Sequence, residues 1–462
     1  MFSQTCRCAG VVAALCCSVP AWAQAQQSPP EQSPAPQQAP PAEATPPGQE
    51  PPPQGEPAPL SPEEQAEINQ ALGADAKSGD APGAQQQPSQ QQPESAGTQA
   101  PPSVGIHGLD ISLILDVAGA AFTSDAPLQT GDHDPSQRGF NLQQLELSVG
   151  SVVDPYFRFD SNIVFHQDGV EIEEAYATTL ALPANLQVRA GQFLTKFGRL
   201  NATHPHAWEF VDQPFAIGRV FGGEGNRGLG IEASWLSPLP WYLEVVGSVT
   251  DAHGEGSARS FLGDADHPVQ RFDDFQFTGA VKQFFSLSDD LSLLWGLSAA
   301  NGPNPAGDPT EANPVASHTR TQVYGTDLYL RYRPTTQGNQ TTVTWQTELL
   351  YRHRDLVGDS LHDYDGYSQL AWHFNRRWAV AGRYELGTAA KNAAGQVVED
   401  PLDPEWTKLR QRISTNVTYY PTEFSRLRLQ GATDRAGWRD SPDYSLFLAF
   451  EVVVGAHGAH TF

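Results

Sequence analysis

The chain has 462 residues, with 53 acidic against 28 basic side chains and a formal net charge of −25. That balance argues against nucleic acid as a partner and, on bulk charge alone, against an anion channel. With four cysteines and no run of ~18 apolar residues, neither a disulfide-dense domain nor a transmembrane helix is expected.

Residues 1–23 have the form of a secretory signal peptide. Arg7 supplies the positive start, Ala9 to Val19 a short apolar run, and Ala21-Trp22-Ala23 a small-x-small cleavage site. All four cysteines (Cys6, Cys8, Cys16, Cys17) lie in this segment, and Leu15 before Cys16 does not suit lipoprotein processing. Cleavage after Ala23 removes every thiol, and with them any disulfide, thiolate metal site or cysteine nucleophile.

Residues 24–104 form a Pro/Gln/Ala-rich tract that buries too little apolar area to offset ordering entropy, so a disordered periplasmic linker is expected. Within it, Ser61-Pro62-Glu63-Glu64 resembles a capping box, and Ile68 and Leu72 follow at helical spacing. A short helix over 61–73 is expected, either transient or a small docking motif.

Over residues 105–462 the texture becomes alternating. Leu145, Leu147 and Val149 alternate with Gln144, Glu146 and Ser148, and Trp241, Leu243 and Val245 with Tyr242 and Glu244. In the last such segment Tyr444, Leu446, Leu448, Phe450, Val452 and Val454 share one face. Tight connections recur at Asp154-Pro155, Pro183-Ala184-Asn185, Ser237 to Pro240, Ser288 to Asp290, Asn375-Arg376 and Pro421-Thr422. Longer polar ones intervene at 123–138, 196–227, 252–273, 302–319 and 388–404. One-sided strands with short and long connections in turn predict an all-β fold, a transmembrane antiparallel β-barrel of about 16 strands. An even count puts both ends of the barrel in the periplasm, and aromatic pairs beside the turns, such as Tyr419-Tyr420, fit an interfacial girdle.

The long connections hold much of the acid, while strand segments hold bases on their polar faces. Arg158, Arg189, Arg331, Arg333 and Arg383 are expected to line the lumen, because a charge facing lipid at midplane costs about 2–4 kcal/mol. Lys408, Arg410 and Arg412 lie on a strand expected to neighbour that of Arg426 and Arg428, which predicts a basic ladder on one wall. Carboxylates such as Glu146, Glu385 and Glu451 either neutralise it, leaving a shape-holding ion-pair lattice, or leave a track for solutes.

The segment from Gln192 to Gly228 is too aromatic for a solvated loop, with Phe193, Phe197, Trp208, Phe210, Phe215 and Phe221. Folding inward buries these rings and narrows the pore, with Lys196, Arg199, Glu209, Asp212, Arg219 and Arg227 at the constriction. His204-Pro205-His206 with Asp212 reads either as a zinc site of three ligands and a water or as histidines hydrogen-bonded within the loop.

Gly191 to Arg199, the run His204-Pro-His206-x-Trp208-x-Phe210-x-Asp212-x-Pro214 and the ending Gly455 to Phe462 resemble proteobacterial outer-membrane barrels. These are similar to the phosphate-selective porin family and to barrels labelled zinc-regulated outer-membrane receptors. The resemblance implies a pore, often a homotrimer, inserted by the barrel assembly machinery and surrounded by outer-membrane lipid. The acidic composition departs from what a phosphate-selective pore wants, so the solute is not carried over.

The expected function is passive diffusion of small hydrophilic or charged solutes through an outer-membrane porin, weakly anion-preferring if the ladder faces the permeant ion. The alternative is a receptor for a metal or metal chelate such as zinc. It is disfavoured because residues 24–104 cannot fold as a plug. A barrel enzyme is the remote third, with no spacing that marks a catalytic set. No cofactor is expected.

Overall fold

The computed structural model describes residues 108–166, 169–254, 256–264, 269–306, 319–335 and 340–455. The signal peptide, the 24–104 segment with its 61–73 helix, and the terminal His457, His460 and Phe462 lie outside the described residues.

Sixteen long strands form one closed antiparallel sheet. The first half is β1 (Leu109–Phe122), β2 (Gly139–Asp154), β3 (Phe157–Phe165), β4 (Val170–Thr179), β5 (Leu186–Leu194), β6 (Arg227–Leu236), β7 (Tyr242–Asp251) and β8 (Phe275–Ser286). The second half is β9 (Leu291–Pro303), β10 (Arg320–Tyr332), β11 (Thr342–Leu356), β12 (Asp359–Asn375), β13 (Trp378–Gly387), β14 (Arg410–Thr422), β15 (Ser425–Ala436) and β16 (Asp443–Gly455). A two-residue piece, Lys391–Asn392, stands outside the barrel wall and pairs with the outer end of β12. Each strand pairs with its neighbours in sequence, and β16 closes on β1 from Ser112↔Gly455 to Phe122↔Ser445. Closure leaves no edge, which is what lipid demands of a spanning sheet.

The alternation read from the sequence sets the two faces. On β16, Tyr444, Leu446, Leu448 and Phe450 are exposed on the outside, while Phe447, Ala449 and Glu451 are buried inside. The same outward belt carries Ile231, Leu297, Leu349, Leu370, Ile413 and Leu429. Trp378 and Tyr419 stack 4.7 Å apart beside the short turns, as an interfacial girdle requires. A closed barrel with an apolar belt facing outward is an outer-membrane protein, and the even strand count brings both barrel ends to one side.

Side chains build the tight turns. Asp154 Oδ1 accepts the N–H of Tyr156 at 2.8 Å and of Phe157 at 2.9 Å. Asn375 Oδ1 does the same for Arg377 and Trp378, and Ala184 and Asn185 take left-handed conformations in the Pro183–Asn185 turn. The strict short–long rhythm expected from the sequence breaks at three connections. Those at 166–169, 357–358 and 437–442 are short although they lie at the long-loop end, and Gly358, with φ +82°, makes the second one possible.

Candidate pore constriction

The connection between β5 and β6, here L3 (residues 195–226), turns into the barrel. Its base is closed by an asparagine clasp. Asn201 Nδ2 donates to the carbonyls of Thr195 and Asn226, and Asn226 N donates back to Asn201 Oδ1 at 2.7 Å. Glu348 of β11 then receives the backbone N–H of Leu200 at 2.8 Å and of Arg199 at 3.2 Å. Lys282 of β8 donates to Gly198 O, and Lys196 pairs with Glu244 of β7 at 3.0 Å.

After a single 3₁₀ turn, Pro205–Ala207, L3 runs extended against β13 to β16. There the arginines meet its backbone rather than open lumen. Arg428 donates to Trp208 O at 3.1 Å and Phe210 O at 2.8 Å, and Arg426 to Trp208 O and His206 O. Arg383 donates to Asp212 O at 2.9 Å, Arg412 to Gln213 O at 2.8 Å, and Asn416 to Glu209 O at 2.7 Å. Facing carboxylates complete the lattice: Arg426 with Glu451, Arg410 with Asp434, Arg412 and Arg383 with both Glu385 and Asp212. Burial opposes ionisation of Asp212, but Arg412 and Arg383 prevail and hold its carboxyl below the usual range. Arg410, Arg412 and Arg428 are 1–2 % exposed; Arg412 and Arg428 latch L3, while Arg410 donates to Leu128 O of the β1–β2 connection and lies 4.3 Å over the Phe215 ring.

The five bases of the expected ladder do not stand side by side. Lys408 lies exposed before β14 begins. In the β14–β15 hairpin Arg412 faces Asp434 while Arg428 faces Thr418. Antiparallel pairing about the turn therefore puts Arg410 and Arg412 at the outer end and Arg426 and Arg428 near the turn, about 20 Å apart at ~3.3 Å per residue. Arg333 sits in the connection after β10, its N–H on Asp290 O. Arg158 pairs with Asp160 and Arg189 with Glu232, and Arg189 also covers the Phe193 ring. Arg227 is the first residue of β6, paired with Glu224 and Glu171.

α1 (Phe215–Phe221) follows and is buried throughout. Its N-terminal Phe215 N–H donates to Glu385 at 2.7 Å. Ile217, Val220 and Phe221 pack with Phe197, Leu200 and Trp208 of L3, with Ala258, Phe261 and Leu262 of the β7–β8 connection (L4, residues 252–274), and with Val323, Leu350 and Tyr367 of the wall. Arg219 bonds Asp365 of β12 at 3.0 Å and Asp403 of the β13–β14 connection (L7, residues 388–409) at 3.2 Å, beneath Trp406. Arg352 adds Asp363 and Asp400, and Arg259 of L4 adds Asp403. Gly222 ends α1 with φ +102°, where a Cβ would stand 2.2 Å from Gly256 O of L4.

L3 keeps one wet side. Lys196, Arg199, Ala202, Thr203, Ala207 and Glu209 are half-buried or exposed, in contrast to the sealed run from Phe210 to Phe221. Arg199 lies 3.7 Å over the Tyr329 ring of β10.

The predicted trio His204, His206 and Asp212 is not brought together: Asp212 belongs to the arginine lattice. His204 instead meets Glu173 at 3.1 Å and Glu174 at 2.9 Å, and His206 meets Glu146 at 3.0 Å. Beside them His133 of the β1–β2 connection (L1, residues 123–138) has its Nε2 3.0 Å from Glu173 and 3.2 Å from Glu224. Burial alone would lower the pKa of His133 and of His204, yet the carboxylates around each raise it well above the usual imidazole range. Two groups of described residues converge as metal ligands do: His133, Glu173 and Glu224, and Glu146, Glu173 and His204, each within 4.8 Å. Sequence reading missed His133 and placed Glu224 only at the constriction, since only the fold brings L1 to the end of L3.

Fold and lumen together define an outer-membrane β-barrel with a long loop folded into its interior. No family model matches the chain. An uncharacterized protein of Aquifex aeolicus (strain VF5) is 33 % identical over 390 residues, which is 76 % of this chain and 80 % of that protein, and the chain belongs to its family. Among solved structures, the outer membrane channel DcaP of Acinetobacter baumannii has the same fold at TM-score 0.51 and 12 % identity, over 76 % of this chain and 99 % of DcaP. OprB of Pseudomonas putida matches at TM-score 0.49 and 10 % identity, over 75 % of this chain and 94 % of OprB.

Proposed function

We propose that the protein is a passive diffusion channel for small hydrophilic and charged solutes, with L3 as its constriction and a weak preference for anions. The observation that carries this reading is the wet side of L3 inside a closed barrel, where Arg199 lies over the Tyr329 ring of β10. A base at the edge of a narrow path acts on the permeant ion with little screening, whereas loop carboxylates in bulk water are screened within about 8 Å. Arg410, Arg412, Arg426 and Arg428 are already satisfied by carboxylates and loop carbonyls, and Lys196 is paired with Glu244, so selectivity in this reading belongs to Arg199.

The test is the reversal potential across a planar bilayer under a salt gradient. Wild type is expected to reverse on the anion side, and Arg199→Gln to move toward cations. Cation selectivity in the wild type overturns the preference. The resemblance to porins also implies a homotrimer: the mass of the detergent complex should correspond to three copies, and a single copy removes that part of the reading.

A further inference from the structure

We propose that His133, Glu173 and Glu224 bind a divalent first-row transition metal ion, Zn²⁺ being the member that fits best, and that this ion pins L1 and L3 to the barrel wall.

The three ligands come from three separate parts of the chain: L1, β4 and the returning arm of L3. They meet where the wall is thinnest, because β4 and β5 pair over only four positions, Ala175↔Gln192 to Thr178↔Arg189. The inner end of the gap is occupied by Glu173 and Glu174, Glu174 Oε1 taking the N–H of Leu194 at 2.8 Å. The distances are those of a ligand set. Bonds of about 2.0–2.1 Å in tetrahedral geometry put ligand atoms roughly 3.3 Å apart. His133 Nε2 stands 3.0 Å from Glu173 Oε1 and 3.2 Å from Glu224 Oε1.

His133 Nδ1 faces the Gln143 carbonyl at 3.5 Å, and Gln143 Nε2 donates back to His133 O at 2.9 Å. A ring nitrogen that donates to a carbonyl turns the other nitrogen's lone pair toward a metal, the usual outer support of a histidine ligand. Without an ion, one Nε2 has at most one proton for the two carboxylate oxygens that stand 3.0 and 3.2 Å from it. A cation among the three atoms satisfies both carboxylates. A cavity of about 20 Å³ adjoins them, lined also by Trp208, Ile217 and Leu200, and suffices for the ion's own water, which needs about 10–15 Å³. Imidazole with carboxylates and no thiolate selects zinc and its neighbours over calcium or magnesium, which want all-oxygen shells.

The test uses the full mature chain folded in detergent, stripped with a chelator and titrated with Co²⁺. One equivalent is expected to give the visible absorption of a four-coordinate cobalt site, and Zn²⁺ to bleach it stoichiometrically. His133→Gln and Glu224→Gln are each expected to weaken binding more than about tenfold, since even an outer-shell loss costs 10–100-fold. Glu224→Gln lies on L3 rather than L1, so it serves if His133→Gln does not fold; heat-modifiable migration reports folding for both. A paired change of His457 and His460 to Gln, at the chain end, is expected to leave the spectrum unchanged. Absence of a cobalt spectrum, a spectrum unchanged in both single variants, or one lost only with the terminal histidines overturns the site. Absorption is read without current, so this outcome is independent of the channel reading.

Discussion

Phe221 has no exposed surface and meets Phe197 edge-on at 4.9 Å, in the cluster that seats α1 under L4. Phe221→Ala deletes the ring without touching the wall. It is expected to cost L3 docking about 3–5 kcal/mol, the range for truncating a buried Phe. Hydrogen exchange of the L3 amides should show that loss while the barrel strands stay protected. The inward aromatics were legible because a solvated loop has no use for six rings. The role of the arginines was not, because alternation says which face a base occupies and not what else comes to that face. Arg428 looks like a pore charge until Trp208 O and Phe210 O arrive from over two hundred residues away.

At the scale of elements, the interior is held by two lattices. One joins L3 to β13, β14, β15 and β16 through Arg383, Arg412, Arg426 and Arg428. The other joins α1, L4 and L7 through Arg219, Arg259 and Asp403. Burial works against ionisation of Asp403, but Arg259, Arg219 and Arg352 outweigh it and hold its carboxyl far below the usual range. A carboxyl so depressed gives stability that is whole above its unfolded value, near pH 3.9, and is lost as pH falls below it. L4 and L7 should therefore resist an acid protease at pH 5 and become progressively cleavable as pH falls from about 3.9 toward 2. Asp403→Asn should be cleaved at both. Unchanged resistance of wild type down to pH 2 would show that the apolar cluster alone holds the cover. The loops were legible as lengths and acid content, and the tight turns as Asx and hydroxyl chemistry. Their mutual contacts were not, since each links segments far apart in sequence.

For the whole molecule, the decisive quantities were the period of two, the turn spacing and the even count. All are local, which is why the barrel could be read before its contacts. The outward belt requires lipid, so the protein should fractionate with the outer membrane and show heat-modifiable migration; recovery as a soluble periplasmic species would contradict the fold. Deletion of Phe462, in the Gly455–Phe462 ending that resembles outer-membrane barrels, should lower the amount assembled without altering what the assembled fraction does. The central claim is that L3 constricts an ion path and that Arg426 and Arg428 hold it there. Single-channel recording in planar bilayers tests this most directly, with wild type beside the Arg426→Gln/Arg428→Gln variant. Wild type should give discrete conductance steps, and the variant larger, noisier steps as L3 leaves the wall. Correctly folded, membrane-inserted wild type that carries no current, or a variant whose steps match the wild type's, would contradict it.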